Sequence, residues 1–160
     1  MEYQEAVDYI NQTTDRLLQR VGGQLTADNM TELTLDEHCL LAYRYLRDEV
    51  MEGGFIQMIQ NGYGTYVLQG PFPMLLKKEW GLRDFSKFLY EVYHEYKAHK
   101  EELEADKSEE EFMAQYEKFD KLNNYGDDYL DDWEETITPA IAETFMERQK
   151  NIEEGLEENQ

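Results

Sequence analysis

Apolar residues recur at three- and four-residue spacing along most of this chain, with polar positions filling the opposite faces. Tyr3, Val7, Ile10, Thr14, Leu17 and Val21 form the first series, which predicts an amphipathic helix ended by Gly22-Gly23. The stretch 24–33 lacks periodicity and reads as a loop. Thr34, followed three residues later by Glu37, is a capping-box signature. The helix it opens presents Leu35, Cys39, Tyr43, Leu46 and Val50 on one face. Gly53-Gly54 stops that helix, because a left-handed residue costs glycine nothing. Phe55, Ile56, Met58 and Ile59 then make a short apolar segment that closes at Asn61-Gly62 and Gly64. A helix that short is not stable alone, so it must pack between longer ones, with Phe55 and Ile59 as central core residues.

Residues 65–70 read as a short helix or an irregular strap, and Pro71 and Pro73 break the chain after it. Leu75, Leu76 and Trp80 suggest a short helix before Gly81, and Leu82, Phe85, Leu89, Val92, Tyr96 and His99 mark a longer one over 84–104. Ser108 and Glu111 form a second capping box, opening a helix that turns Phe112, Tyr116, Phe119 and Leu122 inward. Asn123-Asn124-Tyr125-Gly126 reads as a turn, and 127–136 as a short acidic helix with Tyr129, Leu130 and Trp133 on its apolar side. Thr138-Pro139 reads as an N-cap followed by proline at the first helical position. The last helix, with Ile141, Phe145, Met146 and Ile152, then runs to Gly155, leaving a frayed acidic tail. No strand-like alternation of useful length and no repeat appears. The pattern predicts an all-α fold of seven to nine helices in one domain over 1–160.

A chain of 160 residues is long enough to bury roughly 70% of its unfolded surface. Its 36 acids against 15 bases give a net charge of −21, while aromatics at 13% argue against a disordered acidic tail. Such a field repels nucleic acid and anionic membranes and attracts basic proteins. The one cysteine, Cys39, rules out an internal disulfide framework. The opening residues carry no signal-peptide pattern and no apolar run nears the ~20 residues of a bilayer span, so the expected location is cytoplasmic.

No catalytic constellation accompanies this pattern, and the expectation is a protein that is not an enzyme and holds no cofactor or metal. His94 and His99 are five residues apart, ~500° around a helix, so their rings diverge instead of sharing a metal. Glu91-x-x-His94 is half of a di-iron motif whose second copy is missing. His38 and Cys39 are adjacent on a helix, a poor geometry for a base and its nucleophile. Gly53-Gly54 and Gly62-x-Gly64 follow helices instead of a strand and lack a phosphate-binding signature. Asp120, Asn123, Asn124, Asp127 and Asp128 depart from the spacing of a calcium loop.

Charge distribution is the remaining signal. Residues 106–160 carry 18 acids and 5 bases, net −13, in about a third of the length. Asp127, Asp128, Asp131, Asp132, Glu134 and Glu135 repeat at helical i,i+3 and i,i+4 spacing, where neighbouring side chains lie ~5–6 Å apart. Duplex DNA presents one phosphate per ~3.4 Å of axis on each strand, so a rigid ridge of carboxylates approximates a phosphate row. These six acids, with Glu109, Glu110 and Glu111 outside them, are the candidate surface for a basic partner such as a DNA-binding regulator. The alternatives are an immunity or antitoxin protein that covers a basic toxin, or an acidic scaffold whose charge only solvates it. A homodimer joining two ridges is one open arrangement.

The string Gly53-Gly54-Phe55, Gln57, Asn61 and Gly62, written GGF-x-Q-x-x-x-N-G, resembles a family of small bacterial domains of unknown function that includes a DNA-mimic protein binding a transcription repressor. The similarity begins in the helix before the motif and extends toward Phe119-Asp120-x-Leu122-Asn123. The family usually has Asn before the two glycines, where this chain has Glu52. The resemblance implies DNA mimicry as an expected function, and it places no functional residue individually.

Overall fold

The longest apolar run of the sequence becomes the middle of the molecule. Helix α2 (Leu35–Gln60) buries Cys39, Leu40, Leu41, Ala42, Tyr43, Leu46 and Val50 before its break, and Phe55, Ile56, Met58 and Ile59 after it. A helix that apolar around its circumference has to be enclosed by others. The computed structural model describes residues 1–158, and in it α2 touches α1 (Tyr3–Arg20), α3 (Phe72–Lys78), α5 (Lys100–Glu104), α7 (Asp120–Asp128) and α8 (Glu134–Glu158). The other helices are α4 (Arg83–Ala98) and α6 (Glu109–Lys118), and no strand occurs among the described residues. The fold is all-α, with eight α-helices among those residues.

Both capping boxes form. Thr34 Oγ1 accepts from the Glu37 amide and Ser108 Oγ from the Glu111 amide, and each glutamate reaches back to the cap amide. Each box satisfies two amides that would otherwise lack partners. The double glycine breaks α2 as expected: Gly53 leaves helical geometry and Gly54 takes φ +76°. Phe55 and Ile59 are fully buried beyond it. Residues Thr65–Gln69 form one wide π-helical turn.

Several local expectations give way to packing. Leu35 points outward and is 57% exposed, because the face of α2 that meets the core starts at Asp36. The helix expected over 84–104 is interrupted at His99, whose φ of −129° separates α4 from α5. The expected turn at Asn123-Asn124-Tyr125-Gly126 is helical throughout. Gly126 faces the α2 break: a Cβ on it would meet Gly54 Cα at 3.4 Å, an ordinary contact distance, so α7 packs directly against that corner. The chain then continues from α7 through a π-helical turn (Tyr129–Trp133) directly into α8. Thr138-Pro139 therefore lies inside α8 and starts nothing. Proline can donate no amide to the Glu135 carbonyl, and that residue is exposed where water can serve instead. Gly155 also lies within α8, which reaches Glu158, and the last two residues of the expected frayed tail lie outside the described residues.

Candidate acidic interface

The motif residues around the double glycine are occupied with structure. Gln57 Nε2 and Asn61 Nδ2 both donate to Glu49 Oε2, each at 2.9 Å, so their four-residue spacing serves one carboxylate across the break. A Cβ at Gly53 would collide with the Gln57 side chain, which explains a glycine where φ is unremarkable. Tyr116 donates its hydroxyl to the Gly53 carbonyl at 2.7 Å, tying α6 to the same corner. Together with the Gly54–Gly126 approach, these contacts fix the segment that carries the acids.

That segment distributes its carboxylates in three directions. Asp128 and Asp132 line a groove of about 410 Å³ with Asp84 and Glu91 of α4, over Phe88 and Trp133, and Lys87 stands among them. Asp127 borders a second depression at the glycine corner, opposite Glu52, and Glu52 in turn lines a third together with Glu109. The acids thus run as a belt from Glu109 through Glu52, Asp127, Asp128 and Asp132 to Glu91 and Asp84. All of them are exposed, and none has an ion-pair partner within 4 Å among the described residues. Lys107, beside Glu109, is engaged by Gln60 Oε1 and by the carbonyls of Glu102 and Ala105.

The remaining acids of the expected cluster fall into three classes. Asp131, Glu135 and Glu110 are exposed. Glu111 is taken up by its capping box and lines a depression on the Lys118 side, away from the belt. Glu134 is a correction: it is 5% exposed, pairs with Arg47 at 2.9 Å and accepts from the Tyr3 hydroxyl, so it cannot face a partner. Periodicity along one helix could not reveal this, because the π-turn before it rotates the following residues out of the register of α7. Glu52, Asp84 and Glu91 line the same depressions although they stand outside the dense acidic run. Asp84 and Glu91 are seven residues apart on α4, which places them on one face, and that signal was legible.

The polar residues weighed for other chemistry have structural duties. His38 contacts the Tyr66 hydroxyl at 2.7 Å and the Met30 carbonyl at 2.6 Å. Burial pushes the neighbouring Cys39 thiol up to about 12, with the Asp36 carboxylate adding to it, so no thiolate forms near neutrality. His94 is exposed and His99 lies against Phe119, ring centroids 5.1 Å apart. Asp120, Asn123, Asn124, Asp127 and Asp128 lie on α7 instead of in a loop. Among the described residues, no group of three or more His, Cys, Asp or Glu that could hold a metal stands together, and no helix is long and apolar enough to cross a membrane.

Comparison with known proteins fits this acidic helical body. Residues 31–149, which include α2 through most of α8, match the model of the family described as DMP19-like protein. The chain belongs to the DMP19-like family. It is 34% identical over 77 residues to the DNA mimic protein DMP19 of Neisseria meningitidis serogroup B (strain ATCC BAA-335 / MC58). That match covers 48% of this chain and 46% of the relative, so it spans about half of either protein. No solved structure matches. The family region holds the glycine corner and the belt acids together.

Proposed function

We propose that this protein is a non-enzymatic DNA mimic whose acidic belt occupies the basic surface of a DNA-binding protein. The observation that carries this reading is the belt itself: unpaired, exposed carboxylates from α2, α4, α6 and the α7–π segment, set on a corner held by the Gly54–Gly126 approach and the Tyr116–Gly53 hydrogen bond. Family membership supports it independently. Asp127, Asp128 and Asp132 form the centre of the partner-binding surface, Glu52, Asp84 and Glu91 extend it, Glu109 and Glu110 lie at its margin, and the exposed Asp131 and Glu135 add their charge from the same stretch of chain.

Helices held against one another keep the carboxylates in a constant arrangement, and their summed potential steers a cationic surface toward them. The belt competes with duplex DNA because both offer rows of anions to the same lysines and arginines. Lys87 and Lys107 reduce the potential locally and break the belt into segments, as a uniform polyanion would not. Capture from native lysate, followed by a gel-shift assay on the captured protein, tests the reading. The captured protein should bind DNA, be released from it by this protein, and lose its grip on this protein as salt rises. Charge reversal at Asp127, Asp128, Asp131 and Asp132 should abolish capture with helical content intact. Undiminished capture by that variant would sink the assignment.

A further inference from the structure

An apolar spot interrupts the acidic belt at the glycine corner. Met51 and Leu130 are 44% and 41% exposed and line the same depression of about 320 Å³, with the half-buried Tyr116 ring beside them. Its floor is backbone at Gly54, where a side chain would meet nothing within 4 Å. Glu52 and Asp127 border it, and neither has an ion-pair partner among the described residues. Exposed apolar residues gathered at one spot mark contact surfaces more often than scattered ones do.

Charge decides what covers this spot. A second copy would bring another molecule of net charge −21 against two unpaired carboxylates, which is unfavourable. A cationic surface is favoured by the same two groups. DNA offers its readers the same combination, since the thymine methyl is an apolar contact set between two rows of phosphate. DNA-binding proteins accordingly carry apolar side chains among their basic ones, both for thymine and for wedging between base steps.

We infer that the glycine-corner depression receives an apolar side chain of the partner, flanked by the partner's lysines or arginines, so that recognition has a salt-resistant apolar component. This rests on the DNA-mimic reading and adds to it the kind of side chain the partner must present. The depression forms because two consecutive glycines leave no side chain over the α2 break while Leu130, the second residue of the wide turn after α7, faces outward. Met51 and Leu130 are the anchoring residues, and Glu52 and Asp127 the orienting ones.

The test uses two synthetic peptides of mixed arginine and lysine, one with leucine at its centre and one with serine, titrated into the whole protein by calorimetry. The leucine peptide should bind roughly tenfold tighter, the difference expected for burying one aliphatic side chain. The difference should persist at about 0.5 M salt, where exposed charge pairs are screened. It should vanish in Leu130→Ser and Met51→Ser, whose surface positions leave the fold intact, while the serine peptide binds these variants as it binds the parent. Equal affinity of both peptides, with both lost at high salt, would overturn the apolar pocket and leave the acidic belt standing. Failure of both peptides to bind at low salt would overturn the belt as well.

Discussion

Arg47 Nε lies 2.9 Å from Glu134 Oε1, with both side chains largely withdrawn from solvent. The pair joins α2 to the first turn of α8, and the Tyr3 hydroxyl completes it by donating to Glu134 while accepting from Arg47 Nη2 at 2.9 Å. Removing one member leaves a buried charge without compensation, which costs more than the pair itself contributes. Arg47→Met should lower stability by about 3 kcal/mol in urea unfolding, and adding Glu134→Leu to it should recover part of that loss. A double variant less stable than the single one would contradict this account.

The break in α2 needs its second glycine more than its first neighbour on α7 needs to be glycine. Gly54 has φ +76° and ψ −175°, a setting open essentially to glycine alone, and alanine there should cost about 1–3 kcal/mol through backbone strain alone. Gly126 has no positive φ, and an added methyl would meet Gly54 at an ordinary contact distance of 3.4 Å. Gly126→Ala should therefore change the thermal midpoint little, whereas Gly126→Leu should lower it by prising α7 from α2. Scanning calorimetry on the three variants separates strain from crowding.

Acid should weaken the start of α2 as Glu37 takes up its proton, later than an ordinary carboxylate would. Burial opposes ionisation of Glu37, but the Arg20 guanidinium and the Thr34 amide outweigh it and hold its carboxyl below the usual value. A folded-state value below the unfolded one means that the contribution to stability is complete above the unfolded value. It is lost as pH falls through the folded one. Glu37→Gln should flatten this part of the stability–pH curve between neutrality and strong acid, measured by urea midpoints at stepped pH. An unchanged slope would count against the cap as its source.

What could be read in advance follows from the range of the interactions involved. Thr34, Ser108 and Gly53-Gly54 act on backbone within a few residues of themselves, and each does in the fold what its local chemistry implies. Phe55 and Ile59 followed from the simple need of a short apolar helix for cover. Gly126, Thr138 and Glu134 answer to residues far along the chain. Gly126 meets Gly54, the Thr138 hydroxyl meets Tyr43 at 2.6 Å, and Glu134 meets Arg47. Their local signals for turn, cap and exposed acid were overridden by contacts invisible to a short window. The belt was half legible for the same reason, since density along α7 is local and the acids of α2 and α4 join it only through folding.

The π-helical turn at Tyr129–Trp133 amounts to one residue more than an ordinary helix would use over that distance. A turn of that width absorbs the rotation of about one residue, so α7 and α8 keep their relative setting although the chain between them is one residue longer. That setting is what places Glu134 on Arg47 and Thr138 on Tyr43. Chain length at this joint is thus a silent constraint: point changes on its surface are cheap, but one further inserted residue would turn everything downstream by about 100° and take Glu134 and Thr138 off their anchors at once.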